Sequence, residues 1–109
     1  MTIKFDFGAL EAPFEADWPV TVHVPQDGGE VQEQTFMARF RLLDTGQLEA
    51  LQKSETLDAF VNSYWLGFGK TEERELDDAL REKMLGRPYI RRGLIDAYRK
   101  FMTGVPGKN

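Results

Sequence analysis

Residues 18–24 read Trp-Pro-Val-Thr-Val-His-Val, residues 34–42 read Gln-Thr-Phe-Met-Ala-Arg-Phe-Arg-Leu, and Pro25-Gln26-Asp27-Gly28-Gly29-Glu30 follows the first of them. Val20, Val22 and Val24 alternate with Thr21 and His23, the period-two pattern of a half-buried strand. Phe36, Ala38, Phe40 and Leu42 alternate in the same way with Thr35, Met37, Arg39 and Arg41. Between them, Asp-Gly-Gly supplies residues that take positive φ at little cost. The two runs therefore predict an antiparallel hairpin. Pro19 lacks a backbone donor, which confines the start of the first strand to a sheet edge or a strand entry. Further out, Ile3, Phe5 and Phe7 alternate with Lys4 and Asp6 and read as a third strand.

C-terminal to the hairpin the period changes from two to that of helices. Asp44-Thr45-Gly46 is a helix entry before the short segment Gln47–Leu51. Ser54 or Thr56 is placed to cap the next helix. There Leu57, Phe60, Val61, Tyr64 and Trp65 fall on one stripe, and Leu66-Gly67-Phe68-Gly69 breaks it. Thr71 caps a third predicted helix with Glu72, Glu73 and Glu75 in its first turn and a core face of Leu76, Ala79, Leu80 and Met84. Gly86 ends that helix and Pro88 opens the last, whose stripe is Ile90, Leu94, Ala97, Tyr98 and Phe101. The predicted fold is α+β: an N-terminal antiparallel β-hairpin or small sheet packed against three to four C-terminal helices. Residues 1–103 form a single domain and residues 104–109 a flexible tail.

Composition bounds the chemistry. The chain has 109 residues, no cysteine and a single histidine. A disulfide scaffold and a thiolate zinc site are excluded, and His23, alone on the polar face of its strand, reads as a surface residue. No apolar run approaches the roughly 20 residues that span a bilayer, and the N-terminus lacks signal-peptide features. The expected setting is cytoplasmic, with no membrane partner. Gly67-Phe68-Gly69-Lys70-Thr71 has a superficial likeness to the end of a phosphate-binding loop but lacks the earlier glycine and the preceding buried strand. The acidic run Glu72, Glu73, Glu75, Asp77, Asp78 and Glu82 reads as a solvated helix start. No catalytic, cofactor-binding or metal-ligating set emerges, and no enzyme is expected.

Two binding features remain. Residues 1–60 carry eleven acidic and four basic side chains, a net −7, whereas residues 61–109 carry seven acidic and ten basic, a net +3. That split suggests self-association or an acidic partner for the basic last helix, with Arg87, Arg91, Arg92, Arg99 and Lys100 as the contacting side chains. Tyr64, Trp65 and Phe68 form an aromatic cluster beside two glycines, a candidate docking surface. Residues 72–102 also have a helix–turn–helix look through Leu85-Gly86-Arg87-Pro88, so a small nucleic-acid-binding regulator is the alternative reading. Asp96 within the basic face and the overall charge of −4 weigh against specific nucleic-acid binding.

Taken in order, these parts resemble the tail assembly chaperones of long-tailed bacteriophages. The matching features are Pro25-Gln26-Asp27-Gly28-Gly29 before the aromatic strand Phe36–Phe40, the apolar helix running into the tryptophan and glycine region Phe60–Gly69, the helices Glu72–Leu85 and Pro88–Met102, the step Ala97-Tyr98, and the ending Lys108-Asn109. The longer N-terminal lead through Leu10–Phe14 and the more basic last helix depart from that pattern. The resemblance implies a binding protein that holds the helical, aggregation-prone tape measure protein in the host cell and helps tail-tube subunits polymerise around it, with the tape measure and tail-tube proteins as partners. It also implies a longer form made by a ribosomal slip near the 3′ end of the gene. Gly107-Lys108-Asn109 can be encoded with such a slip site, and a GGC codon for Gly107 would remove it.

Overall fold

The computed structural model describes residues 2–54 and 57–107, with side chains described for 2–50 and 59–107. Strands β1 (Glu15–Pro25) and β2 (Val31–Arg41) form the hairpin. Helices α1 (Thr45–Ser54) and α2 (Leu57–Tyr64) follow, then strand β3 (Trp65–Phe68) and helices α3 (Asp78–Leu85) and α4 (Pro88–Thr103). The three strands make one antiparallel sheet in the order β1-β2-β3. The fold is α+β, as the change of period predicts.

The hairpin pairs without a slip from Glu15↔Arg41 to Pro25↔Val31. Gly28 and Gly29 take φ of 83° and 86°, and the Gln26 N–H donates to the Glu30 carbonyl at 2.8 Å. β1 begins four residues before Pro19, so this proline lies within the strand. It fits because β1 is an edge strand. Met37, its partner across the ladder, sends its own N–H and C=O away from β1, to Glu72 and Gly69. Pro19↔Met37 is therefore a non-hydrogen-bonded pair, in which neither nitrogen faces the other strand. Pro25↔Val31 lies an even number of residues along the same ladder and has the same sense.

The third strand is not where the N-terminal alternation placed it. Residues 2–6 have no regular structure and Phe7–Glu11 form a short 3-10 helix, capped by the Asp6 carboxylate accepting from the Gly8 N–H at 3.0 Å. The strand is instead Trp65–Phe68, where the sequence reading runs the second helix to Trp65 and places a break over Leu66–Gly69. Phe68 pairs with Ala38, Gly67 with Arg39 and Trp65 with Phe40, across a bulge between Arg39 and Phe40. Gly69 then passes so close to β2 that a Cβ there would lie 2.8 Å from the Met37 Cβ.

The inner face of the sheet, from Val20, Val22, Ala38 and Phe40, is covered by Val61 and Tyr64 of α2 and by Leu94, Ala97, Tyr98 and Phe101 of α4, all buried. The Phe40 ring meets those of Tyr64 and Tyr98 edge-on at 5.4 Å, and these two tyrosines stack at 3.7 Å. The Tyr98 hydroxyl donates to the Arg41 carbonyl at 2.7 Å and accepts from the Leu43 N–H at 2.9 Å. This bridge ends β2 at Arg41. Past that point the alternation shifts, so Leu43 is buried and Leu42, expected inside, is 40% exposed. α1 is entered through Asp44, whose carboxylate accepts from the Gln47 N–H at 2.8 Å while the Gln47 amide oxygen accepts from the Asp44 N–H at 3.0 Å. Thr56 lies outside the described residues, as do the side chains of Ser54, the other candidate cap, and of Leu57.

α3 starts later than predicted. Its cap is Asp77, whose carboxylate accepts from the Leu80 N–H at 2.7 Å, rather than Thr71. The competing interaction is the pairing of Glu72 with β2, which holds residues 69–72 in a turn against the sheet. Ala79 is exposed, Leu76, Leu80 and Met84 are half-buried, and Leu85 carries the contact with the core. Gly86 and Pro88 punctuate α3 and α4 as expected. Gly104, at φ 72°, closes α4, with the Val105 N–H donating to the Lys100 carbonyl. Beyond it, Gly107 lies against Pro19 and the Trp18 indole.

Candidate functional site

The residues singled out by sequence separate in the structure. Tyr64 and Trp65 are fully buried and cannot form a docking surface: they belong to the core stripe. Burial pushes the phenols of Tyr64 and Tyr98 above their ordinary value, so both stay neutral through the physiological range. The Trp65 indole N–H donates to the Gly67 carbonyl at 3.0 Å. Over its ring, at 4.8 Å, sits the Arg81 guanidinium, which donates to the Asn62 side-chain oxygen at 3.1 Å. The Arg81–Trp65 contact left no signal in the sequence, because the two residues sit on different elements.

The basic side chains of α4 converge in part: Arg91, Arg92 and Arg99 line one hollow with Pro88, Ile95 and Asp96. Arg92 and Arg99 both face Asp96, at 3.7 and 3.9 Å. Arg87 is exposed at the helix entry, and Arg91 is half-buried. Lys100 lines a shallow hollow against β1 with Thr21, Glu33 and Asp96. The opposite face of α4 is buried against the sheet. With two arginines already facing a carboxylate, duplex DNA is expected to bind no tighter than roughly 10⁻⁴ M at physiological salt. A fluorescence anisotropy titration checks this, and tight, steeply salt-dependent binding would bring the regulator reading forward.

Of the aromatic candidates only Phe68 reaches the surface, and it leads to a different feature. Phe68 meets Phe36 edge-on at 5.7 Å. With Leu80 and Met84 of α3 they line an open groove of about 320 Å³, with Glu72 and Arg74 at its rim. Each wall has a local cause. Phe36 is on the inner face of β2 and only half-buried, and Phe68 is set beside it by the short β3. Leu80 and Met84 are four apart on one helical face. Neither the sheet position of Phe68 nor the start of α3 follows from the periodicity, so the sequence does not bring these four together.

Beside the groove, residues 69–72 are strapped to β2 by polar contacts. The Gly69 N–H donates to the Met37 carbonyl at 2.8 Å, and the Glu72 carboxylate accepts from the Met37 N–H at 2.6 Å, occupying the place of a strand where β3 stops. Asp17 accepts from the Lys70 N–H at 2.9 Å and from Arg39 at 3.0 Å. The hydrogen bond from Lys70, aided by Arg39, holds the Asp17 carboxyl below its ordinary value of 3.8. A carboxyl whose folded-state value is lowered stabilises the fold fully above its unfolded value, and that stabilisation is lost as the pH falls through the folded value. Asp17→Asn should therefore reduce stability at neutral pH and flatten its decline below about pH 4, a comparison that chemical denaturation across pH 2–7 makes directly.

Among the described residues, no cluster of three or more His, Cys, Asp or Glu side chains is placed to hold a metal ion, and no helix is long and apolar enough to cross a membrane. No family model, curated protein or solved structure matches the chain.

Proposed function

We propose that the protein is a tail assembly chaperone of a long-tailed phage or prophage, which binds the tape measure protein and assists tail-tube polymerisation. The order of sequence features in the hairpin and helices supports this reading. The observation that carries it is the groove between Phe36, Phe68, Leu80 and Met84. It is apolar along its length and carries one charge of each sign at its rim, the surface on which one face of an amphipathic client helix packs. Such a helix presents anchors at i, i+3, i+4 and i+7, which an open groove accepts without a lock-and-key fit. The reading needs no catalytic residue.

The test is co-expression with the tape measure protein of the same tail gene cluster. Wild-type protein should co-purify with it and keep it in the soluble fraction. Leu80→Glu with Met84→Glu places two charges in the groove and should weaken the complex by about 2 kcal/mol, roughly thirty-fold in Kd. Circular dichroism serves as the control for folding. Undiminished co-purification of the double variant would remove the groove from the reading.

A further inference from the structure

We infer that the N-terminal arm of one copy adds as a strand to the free edge of β2 in a second copy, pairing two chains. The inference is independent of the client reading and rests on two exposed features that match. The first is the arm. Thr2–Asp6 have no regular structure although they alternate as a strand does, and Ile3, Phe5 and Phe7 are 82%, 62% and 72% exposed. Solvated apolar side chains alternating in this way fit one face of a sheet that their own chain does not supply.

The second is the edge. β2 is covered by β3 only from Ala38 to Phe40, and Gly69 and Glu72 then take up both backbone groups of Met37. By the alternation of an antiparallel ladder, Thr35, Glu33 and Val31 point their N–H and C=O groups to that same side, where no strand of the described residues covers them. The opposite side of the hairpin is guarded at three points: Pro19 and Pro25 lack donors, Gly93 of α4 sits on the Thr21 carbonyl, and Gly107 lies on Pro19. Proteins ordinarily blunt exposed edges, and among the described residues the stretch from Val31 to Thr35 has no strand on this side.

The two features match in charge along the bare edge. Centred on it in either direction, the arm places Lys4 opposite Glu33, whose side chain is 70% exposed, and turns Ile3 and Phe5 to the face that carries Phe36. Two apolar side chains of roughly 150 Å² each, matched by the edge they cover, give about 600 Å² per contact. Reciprocal exchange doubles this to about 1,200 Å², the lower end of an ordinary stable interface.

Sedimentation equilibrium or light scattering on the full chain tests the pairing. The wild type should show twice the 12.5 kDa chain mass at about 0.1 mM. Ile3→Lys with Phe5→Lys in the arm, and Thr35→Pro at the edge, should each return it to the monomer with an unchanged circular dichroism spectrum. Lys4→Glu should weaken the dimer, and adding Glu33→Lys should restore it, a rescue that does not depend on how the proline variant folds. A monomeric wild type, a dimer that survives the arm variant or a folded proline variant, or a charge swap that fails to rescue, would overturn the inference.

Discussion

Replacing Tyr98 by alanine is expected to cost roughly 5 kcal/mol and to leave little folded protein at 37 °C. The ring is fully buried, stacks on Tyr64 and meets Phe40 edge-on, so its removal opens a cavity at the centre of the core. Truncations of this kind cost about 3–5 kcal/mol. The hydroxyl adds a second loss, since the buried Leu43 N–H then has no acceptor. Tyr98→Phe separates the two: it keeps the ring, leaves that N–H unpaired, and should cost about 1–3 kcal/mol. Urea denaturation of both variants measures the difference. A phenylalanine variant as stable as the wild type would mean that the bridge at the end of β2 contributes nothing net.

The second large effect is expected at Gly93. In an exposed helix, exchanging glycine for alanine gains about 1 kcal/mol. Here a Cβ would lie 2.7 Å from the Val22 Cγ1 and 2.8 Å from the Thr21 carbonyl oxygen, and the latter is backbone that cannot turn aside. Gly93→Ala should therefore destabilise by about 1–3 kcal/mol in spite of propensity, and Gly93→Leu by about 3 kcal/mol or more, because α4 must lift off β1. Gly86→Ala is the matched control. Its φ is −71° and the nearest atom to a new Cβ is 3.4 Å away, so stability should hardly change. Thermal unfolding reads the contrast. Equal tolerance at both positions would show that the helix shifts on the strand at no cost.

These two residues also mark what the sequence does and does not disclose. Tyr98 is legible as core, because it falls on the stripe with Leu94 and Phe101, but its partner is not, because the bridge to Leu43 spans 55 residues. Gly93 reads as an ordinary helical residue until α4 is seen against β1. The hairpin is legible in its pairing and turn, since alternation and Asp-Gly-Gly agree, though not in its ends: both strands start earlier than the alternation shows and Leu42 falls outside. β3 is not: four residues are too few to display a period, and their strand character comes from pairing with β2. The same pairing decides the groove. Tyr64, Trp65 and Phe68 read together as one surface cluster, but Tyr64 and Trp65 belong to the core and only Phe68 reaches the groove. Glu72 looked like a helix-start residue because local propensity cannot register that the Met37 N–H, far off in sequence, needs an acceptor.

The closure of α4 over β1 bears on the timing of synthesis. Both hairpin strands leave the ribosome well before the helix that covers them, and a hairpin forms in about 1–10 μs. At roughly 5–20 residues per second, some 3–12 s pass between the appearance of Arg41 and that of Thr103. Through that interval Val20, Val22, Ala38 and Phe40 have no α4 to cover them, and the contacts that bury them join distant parts of the chain, the slow kind to form. The nascent hairpin is thus itself an apolar surface that waits for its cover, and a chain interrupted before Pro88 keeps it open.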